Sequence, residues 1–155
     1  MKIIFKTKNL KLLVKRLEDL LDSPTAAQFN MQYFGTAYRS TMQDVLVPPI
    51  CGTQACLAGE TVIATGTGRL LDEGGIQIIG GGFGWDIARQ AQEDLSLTKH
   101  QANRLFFFNR MLQREEGPGW PLQFQEAYEN AKTPQGRLYV AIRRVEHFIK
   151  TRGEE

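Results

Sequence analysis

The sequence lacks any apolar run that approaches the roughly 20 residues of a membrane-spanning helix. Its basic start holds only a three-residue apolar stretch at positions 3–5, which is too short for a signal peptide, and no small-residue cleavage site follows. These two absences argue against a membrane or secreted protein. We therefore expect the protein to be cytoplasmic and to make no membrane contact.

Cysteine and histidine are also scarce, with two residues of each in 155. Two cysteines in a chain of this length do not indicate a disulfide framework, and in the cytosol they would be reduced thiols. Cys51, Cys56, His100 and His147 are the residue types that hold zinc, but their spacing matches no common zinc motif. We predict no metal ion and no cofactor.

The remaining composition is that of an ordinary globular protein, with 42% hydrophobic residues, 23% charged residues and a formal net charge of +2. A chain of 155 residues is the usual size of one domain and can bury a core unaided. The small net charge, without a helix-turn-helix or zinc-finger pattern, argues against a nucleic-acid partner.

The apolar periodicity predicts a mainly α fold, a single compact helical domain over residues 1–155 with five to six helices and at most a short β-hairpin. Helix starts are marked by a capping box from Thr98 to Gln101 and by Thr133 followed by Pro134. Residues 23–50 are predicted to form an ordered loop region. The predicted helices cover 8–21 and 51–65, start near 85, 98 and 120, and end with 134–152, and a short strand is predicted at 76–79.

Each predicted helix has a face that should contact the core. These faces comprise Leu10, Leu13, Leu17 and Leu20 or Leu21, then Ile87, Ala88, Ala91 and Leu95, then Ala102, Leu105, Phe106 and Phe108, then Phe124, Ala127, Tyr128 and Ala131, and finally Leu138, Ile142, Val145 and Phe148 or Ile149. Four consecutive apolar residues at 105–108 cannot all face inward on one helix, so Phe107 is predicted to reach the surface. Such a residue marks a contact patch, which a homodimer would cover.

Basic residues cluster near both ends of the chain. Lys2, Lys6, Lys8, Lys11, Lys15 and Arg16 precede the first acidic residue, and Arg137, Arg143, Arg144, Lys150 and Arg152 lie on or just after the last predicted helix. If the two helices pack side by side, these residues could form one positive surface suited to phosphates or to an acidic partner. Alternatively, they are the solvated faces of two amphipathic helices.

A glycine cluster at 80–84 lies between the predicted strand and a helix start. Strand, glycine loop and helix N-terminus are the parts of an anion-binding cradle, although neither a Walker nor a dinucleotide-binding spacing is present. The simpler interpretation is a turn. If the cluster is functional, a phosphorylated small molecule would bind through Gly81, Gly82, Gly84, Arg89, Arg143 and Arg144.

The segment from Cys51 to Gly59 is the most distinctive in the chain. Its small residues favour close helix packing, in which case Cys56 is simply a buried apolar residue. The catalytic alternative places Cys51 at a helix N-terminus, where the helix dipole favours the thiolate. His147 or His100 would then be the base of a thiol hydrolase.

This segment and three other motifs resemble a family of small uncharacterised proteins encoded in bacterial and phage genomes. The motifs are Phe29-Asn30-Met31, the Cys-Gly-Thr-x-x-Cys-x-x-Gly segment from Cys51 to Gly59, Leu105-Phe106, and Arg144-Val-Glu-His-Phe-Ile149. The resemblance implies a helical fold and brings no activity or site residue with it.

Two functions are therefore predicted. The first is a non-enzymatic binding protein, an accessory protein in the setting that the resemblance implies, which captures a phosphorylated, nucleotide-like ligand or an acidic partner protein. The second is a thiol hydrolase that uses Cys51 with His147 or His100.

Overall fold

The computed structural model describes residues 5–22, 56–70, 76–81, 85–107 and 119–154. The architecture is mainly α, with six helices and one two-stranded antiparallel sheet in these residues, which confirms the predicted fold class. In chain order the elements are α1 (Thr7–Leu21), α2 (Leu57–Thr65), β1 (Gly68–Leu70), β2 (Ile76–Ile78), α3 (Trp85–Leu95), α4 (Lys99–Phe106), α5 (Leu122–Asn130) and α6 (Pro134–Lys150).

The first helix organises the core. Its leucines at positions 10, 13, 17 and 20 are all buried, as their helical spacing predicts. α1 packs against α6 and α2, α3 packs against α2, and α5 packs against α6. The Phe5 ring lies 5.5 Å from the Phe148 ring, so the start of α1 lies beside the end of α6. Buried side chains from all six helices and from β2 share one hydrophobic cluster.

The second helix begins later than predicted. Cys56 has extended backbone angles, φ −128° and ψ 165°, so the helix starts at Leu57 and the predicted start at Cys51 is wrong. Residues 51–55 lie outside the described part of the chain. The predicted end is confirmed, since Gly66 adopts the left-handed conformation with φ 82° and stops the helix after Thr65.

The hairpin lies against α2 through a glycine. Gly68 pairs with Ile78 and Leu70 pairs with Ile76 in antiparallel register. A Cβ atom on Gly68 would lie 2.6 Å from Cγ2 of Val62, so only glycine lets β1 approach α2 this closely. β2 ends one residue before the predicted Ile79, which is exposed.

The capping box predicted for α4 is present. The Thr98 hydroxyl accepts a hydrogen bond from the Gln101 amide, and the Gln101 side chain accepts one from the Thr98 amide. Phe107 was predicted to reach the surface, and this is wrong, because it is only 8% exposed. The helix ends at Phe106 and Phe107 is extended, so its direction no longer follows the helical period. Phe107 therefore does not mark a surface patch for a homodimer, and Phe108 lies outside the described residues.

The last two helices largely follow the sequence pattern. Thr133 caps α6 through the Gly136 amide and Pro134 is its first residue, as predicted. The predicted core stripe of α6 is buried, except that Ile149 is half-buried. On α5, Tyr128 is buried and packs edge-on against Trp120 at 5.7 Å. Ala127 was predicted to face inward but is exposed, because Phe124 and Tyr128, one turn apart, define the inward face of this short helix.

Candidate functional site

The N-terminal half of α1 presents an exposed basic face. Lys8, Lys11, Leu12 and Lys15 follow the i, i+3, i+4, i+7 spacing that places side chains on one side of a helix, and all four are exposed. We call these four residues the lysine face. Leu12 is 39% exposed in the middle of the face. Lys15 lies 3.7 Å from Asp19, whereas neither Lys8 nor Lys11 pairs with a carboxylate within the part of the chain that the structure describes.

Charge along α1 runs against the helix dipole. The first turn contains no acidic residue, the last turn contains no basic residue, and Lys6 at the N-cap offers no side-chain cap. Glu18, Asp19 and Asp22 lie at the opposite, C-terminal end. Acids stabilise the start of a helix and bases its end, each by about 0.3–1 kcal/mol. The lysines are therefore placed where they do not help α1 to fold.

The basic residues of α6 do not share one environment. Because the start of α1 lies beside the end of α6, exposed Lys150 and Arg152 lie at the same end of the molecule as exposed Lys6. Arg143 is also exposed, with its guanidinium 5.9 Å from the centre of the Tyr139 ring. The two helices do pack side by side, which the sequence analysis left open, but not every basic residue reaches the surface.

Arg144 was predicted to belong to the positive surface and to bind ligand, and its complete burial contradicts the surface placement. Its Nη2 donates a hydrogen bond to the Arg104 carbonyl oxygen at 2.9 Å. Its guanidinium also lies 5.6 Å from the ring centres of Phe124 and Phe148. The helical period places Arg144 on the inward side of α6, where it bonds the backbone of α4.

The glycine segment is only partly described. Gly80 and Gly81 are exposed and have φ values of 100° and 105°, as a turn requires. Gly82 and Gly84 lie outside the described residues. Arg89, the basic residue predicted to assist this segment, is exposed and pairs with Asp86 at 2.5 Å. The described part of the segment, Gly80 and Gly81, is therefore a turn after β2.

The thiol-hydrolase residues are also only partly described, since Cys51 lies outside the described residues. Cys56, not Cys51, occupies the N-cap of α2, and its side chain is buried. The His147 ring lies 5.2 Å from the Phe124 ring at the edge of the buried face of α6, and His100 is exposed on α4. Within the described residues, no three histidine, cysteine or acidic side chains come close enough to hold a metal ion.

Sequence reasoning missed a buried carboxyl group. Glu60 on α2 is 0% exposed, and its Oε2 accepts a hydrogen bond of 2.8 Å from Nε of Arg16 on α1. Its Oε1 is buried without a hydrogen-bond partner among the described residues. Burial raises the pKa of Glu60 to about 7, against the opposing effect of Arg16. The sequence signal was available, because Glu60 is the one charged residue in the run from Cys56 to Ile63.

A second polar cluster joins three helices. Asp94 at the end of α3 accepts hydrogen bonds from the hydroxyls of Thr65 and Thr67 and from the amide of Gln90. Its backbone carbonyl accepts a bond of 2.7 Å from the Asn9 side chain of α1. Because these polar groups bond one another, the cluster holds the three helices together.

Comparison with protein-family models, with curated proteins and with solved structures found no match. The family resemblance inferred from the sequence motifs therefore stays a prediction. Within the described residues, no helix has both the length and the apolar character to cross a membrane.

Proposed function

We propose that this chain is a non-enzymatic binding protein that uses the lysine face of α1 to bind an acidic partner protein. The observation that carries the proposal is that Lys8 and Lys11 are exposed and lack acidic partners among the described residues. The setting we propose is the cytosol.

The energetics of α1 favour an external anion. Lys11 and Lys15 are one turn apart, and like charges at this spacing repel by roughly 0.2–0.5 kcal/mol. Lys8 adds to the unfavourable charge at the helix N-terminus. An acidic surface laid along the lysine face would relieve both effects.

The shape of the face favours a protein over a phosphorylated small molecule. From Lys8 to Lys15 the face runs along about two turns of helix, roughly 10 Å. Small ligands are held in concave sites with convergent polar groups, whereas these side chains project from a convex helix. Leu12 supplies an apolar contact at the centre, as partner-binding surfaces commonly do.

The test measures binding of a fluorescent peptide composed of glutamates with interspersed leucines. We expect affinity that falls as salt is added, and that falls roughly tenfold or more in Lys8→Glu/Lys11→Glu because two attractive charges become repulsive. The matched control, Arg69→Glu/Lys132→Glu, makes the same change of net charge at exposed residues outside the face. It should bind like the wild type.

Leu12→Asn separates a protein partner from a general polyanion. The peptide should bind Leu12→Asn more weakly than the wild type, because the apolar contact is removed. Duplex DNA or inorganic phosphate should bind the two proteins with equal affinity. Equal affinity of the wild type and Lys8→Glu/Lys11→Glu for the peptide would contradict the proposal. Tighter binding of DNA or phosphate than of the peptide would contradict the choice of a protein partner.

A further inference from the structure

We propose that Glu60 is a buried proton-binding site that controls the packing of α1 against α2. The carboxyl group is wholly enclosed, and one of its oxygens is bound to Arg16 across the interface between these helices. The other oxygen, Oε1, meets no hydrogen-bond donor in the described residues. Arg16 is itself 26% exposed, so the pair lies close to the outer edge of the interface.

Of the described charged side chains on the elements that pack against α2, Arg16 is the one that bonds Glu60. Charged side chains from three other elements have different partners. From α3, Asp94 reaches the far end of α2, where it accepts a hydrogen bond from the Thr65 hydroxyl. From α4, Arg104 donates to a backbone carbonyl. From β1, Arg69 is exposed and donates to Gln77. Among the described residues, one guanidinium nitrogen therefore bonds the carboxyl group.

The two protonation states of Glu60 place different demands on the interface. A neutral carboxyl group tolerates burial, whereas a carboxylate with an unpaired Oε1 pays a desolvation penalty that one hydrogen bond from Arg16 does not cancel. Burial accordingly raises the pKa of Glu60 from 4.5 to about 7, while the hydrogen bond and charge of Arg16 act to lower it. The proton is therefore gained or lost close to neutral pH.

The direction of the effect follows from proton linkage. The pKa of Glu60 is higher in the folded chain than the ordinary 4.5, so the folded state holds the proton more tightly. Its contribution to stability is complete below about pH 4.5 and is lost as the pH rises through about 7. Above that pH the carboxyl group has already released its proton to solvent, and the resulting carboxylate gains hydration when α1 separates from α2. Rising pH should therefore loosen this interface.

The first measurement is the ¹³C carboxyl resonance of Glu60 in the intact wild-type protein, followed through a pH titration. We expect a midpoint near 7, well above the ordinary value of 4.5 for a glutamate. In Arg16→Met the midpoint should rise further, because the groups that lower the pKa are removed. A Glu60 midpoint near 4.5 would overturn the proposal.

The second measurement is amide hydrogen exchange, corrected for the intrinsic effect of pH. Protection of the α2 amides should fall roughly tenfold or more between about pH 5.5 and about pH 8, and by less in α5. Glu60→Gln, which cannot ionise, should remove this fall, whereas the control Glu18→Gln on the exposed side of α1 should retain it. Protection that is independent of pH in the wild type would overturn the link to helix packing. Loss of peptide binding in the lysine variants leaves both measurements unaffected, so the two proposals fail separately.

Discussion

The Arg144 guanidinium on α6 donates a hydrogen bond of 2.9 Å to the backbone carbonyl oxygen of Arg104 on α4. Arg144 is completely buried, while its neighbour in the chain, Arg143, is exposed. Two adjacent arginines therefore have different roles: one joins two helices, and the other lies in solvent over the Tyr139 ring.

Replacement of Arg144 by methionine should destabilise the protein. The change removes the hydrogen bond to Arg104 and the contacts with the rings of Phe124 and Phe148. We expect a loss of about 2–4 kcal/mol in the free energy of unfolding, measured by urea denaturation. Arg143→Met is the control and should lose less than about 1 kcal/mol. Equal losses in the two variants would contradict the structural role of Arg144.

Asp94 should contribute to stability more than the acidic residue beside it. Asp94→Ala removes the acceptor for Thr65, Thr67 and Gln90. The loss should be about 2–3 kcal/mol, because three donors lose their partner near the buried core. Glu93→Ala, an exposed neighbour on the same helix, should change stability by less than about 0.5 kcal/mol. Thermal unfolding of both variants measures the difference. A loss of stability in Asp94→Ala as small as that in Glu93→Ala would contradict the role of this cluster.

Two nearby glycines should respond differently to alanine. Gly66→Ala meets no atom within 4 Å but keeps a positive φ, so it should lose about 1–2 kcal/mol from backbone strain. Gly68→Ala would bring its Cβ to 2.6 Å from Val62 and should lose about 1–3 kcal/mol from overpacking. The variant Val62→Ala should reduce the second penalty and leave the first unchanged. Urea denaturation of the three single and two double variants measures this coupling. Additive losses of stability in the Gly68→Ala/Val62→Ala variant would contradict the close approach of β1 to α2.

The free energy of unfolding of the whole protein should depend on pH through Glu60. Because its pKa is raised from 4.5 to about 7 in the folded chain, the wild type should lose stability relative to Glu60→Gln as the pH rises between these values. The difference should reach no more than about 3 kcal/mol. Parallel stability curves for the two proteins from about pH 4.5 to about pH 8 would show that Glu60 titrates normally.

Much of the fold could be predicted because it depends on local rules. The four-leucine spacing of α1 and the Thr133–Pro134 start of α6 each determine an element within a few residues of sequence. The failures at Cys56 and Phe107 occur where the chain changes conformation, since an extended residue breaks the period on which the prediction relied. That break depends on contacts between distant segments, such as the Trp120 amide on the Phe107 carbonyl.

The site residues were harder to predict because charge alone does not determine exposure. Arg144 lies three residues after Ala141 and four before Phe148, so the helical period places it among buried residues. Because Arg144 is charged, it was instead predicted to lie on the surface. Glu60 was overlooked within an apolar run, although a charged residue there requires either a partner or a raised pKa. Lys8, Lys11 and Lys15 of α1 are exposed, as charged residues with no competing inward position should be.

The most direct test of the proposed binding role is a map of amide chemical-shift changes when the acidic peptide is added to ¹⁵N-labelled protein. We expect changes concentrated on α1 from Lys8 to Lys15, with smaller changes at the neighbouring end of α6 and none at Lys132. Changes centred on Gly81 and Arg89 would instead indicate the anion-binding turn, and the absence of any change on α1 would contradict the account.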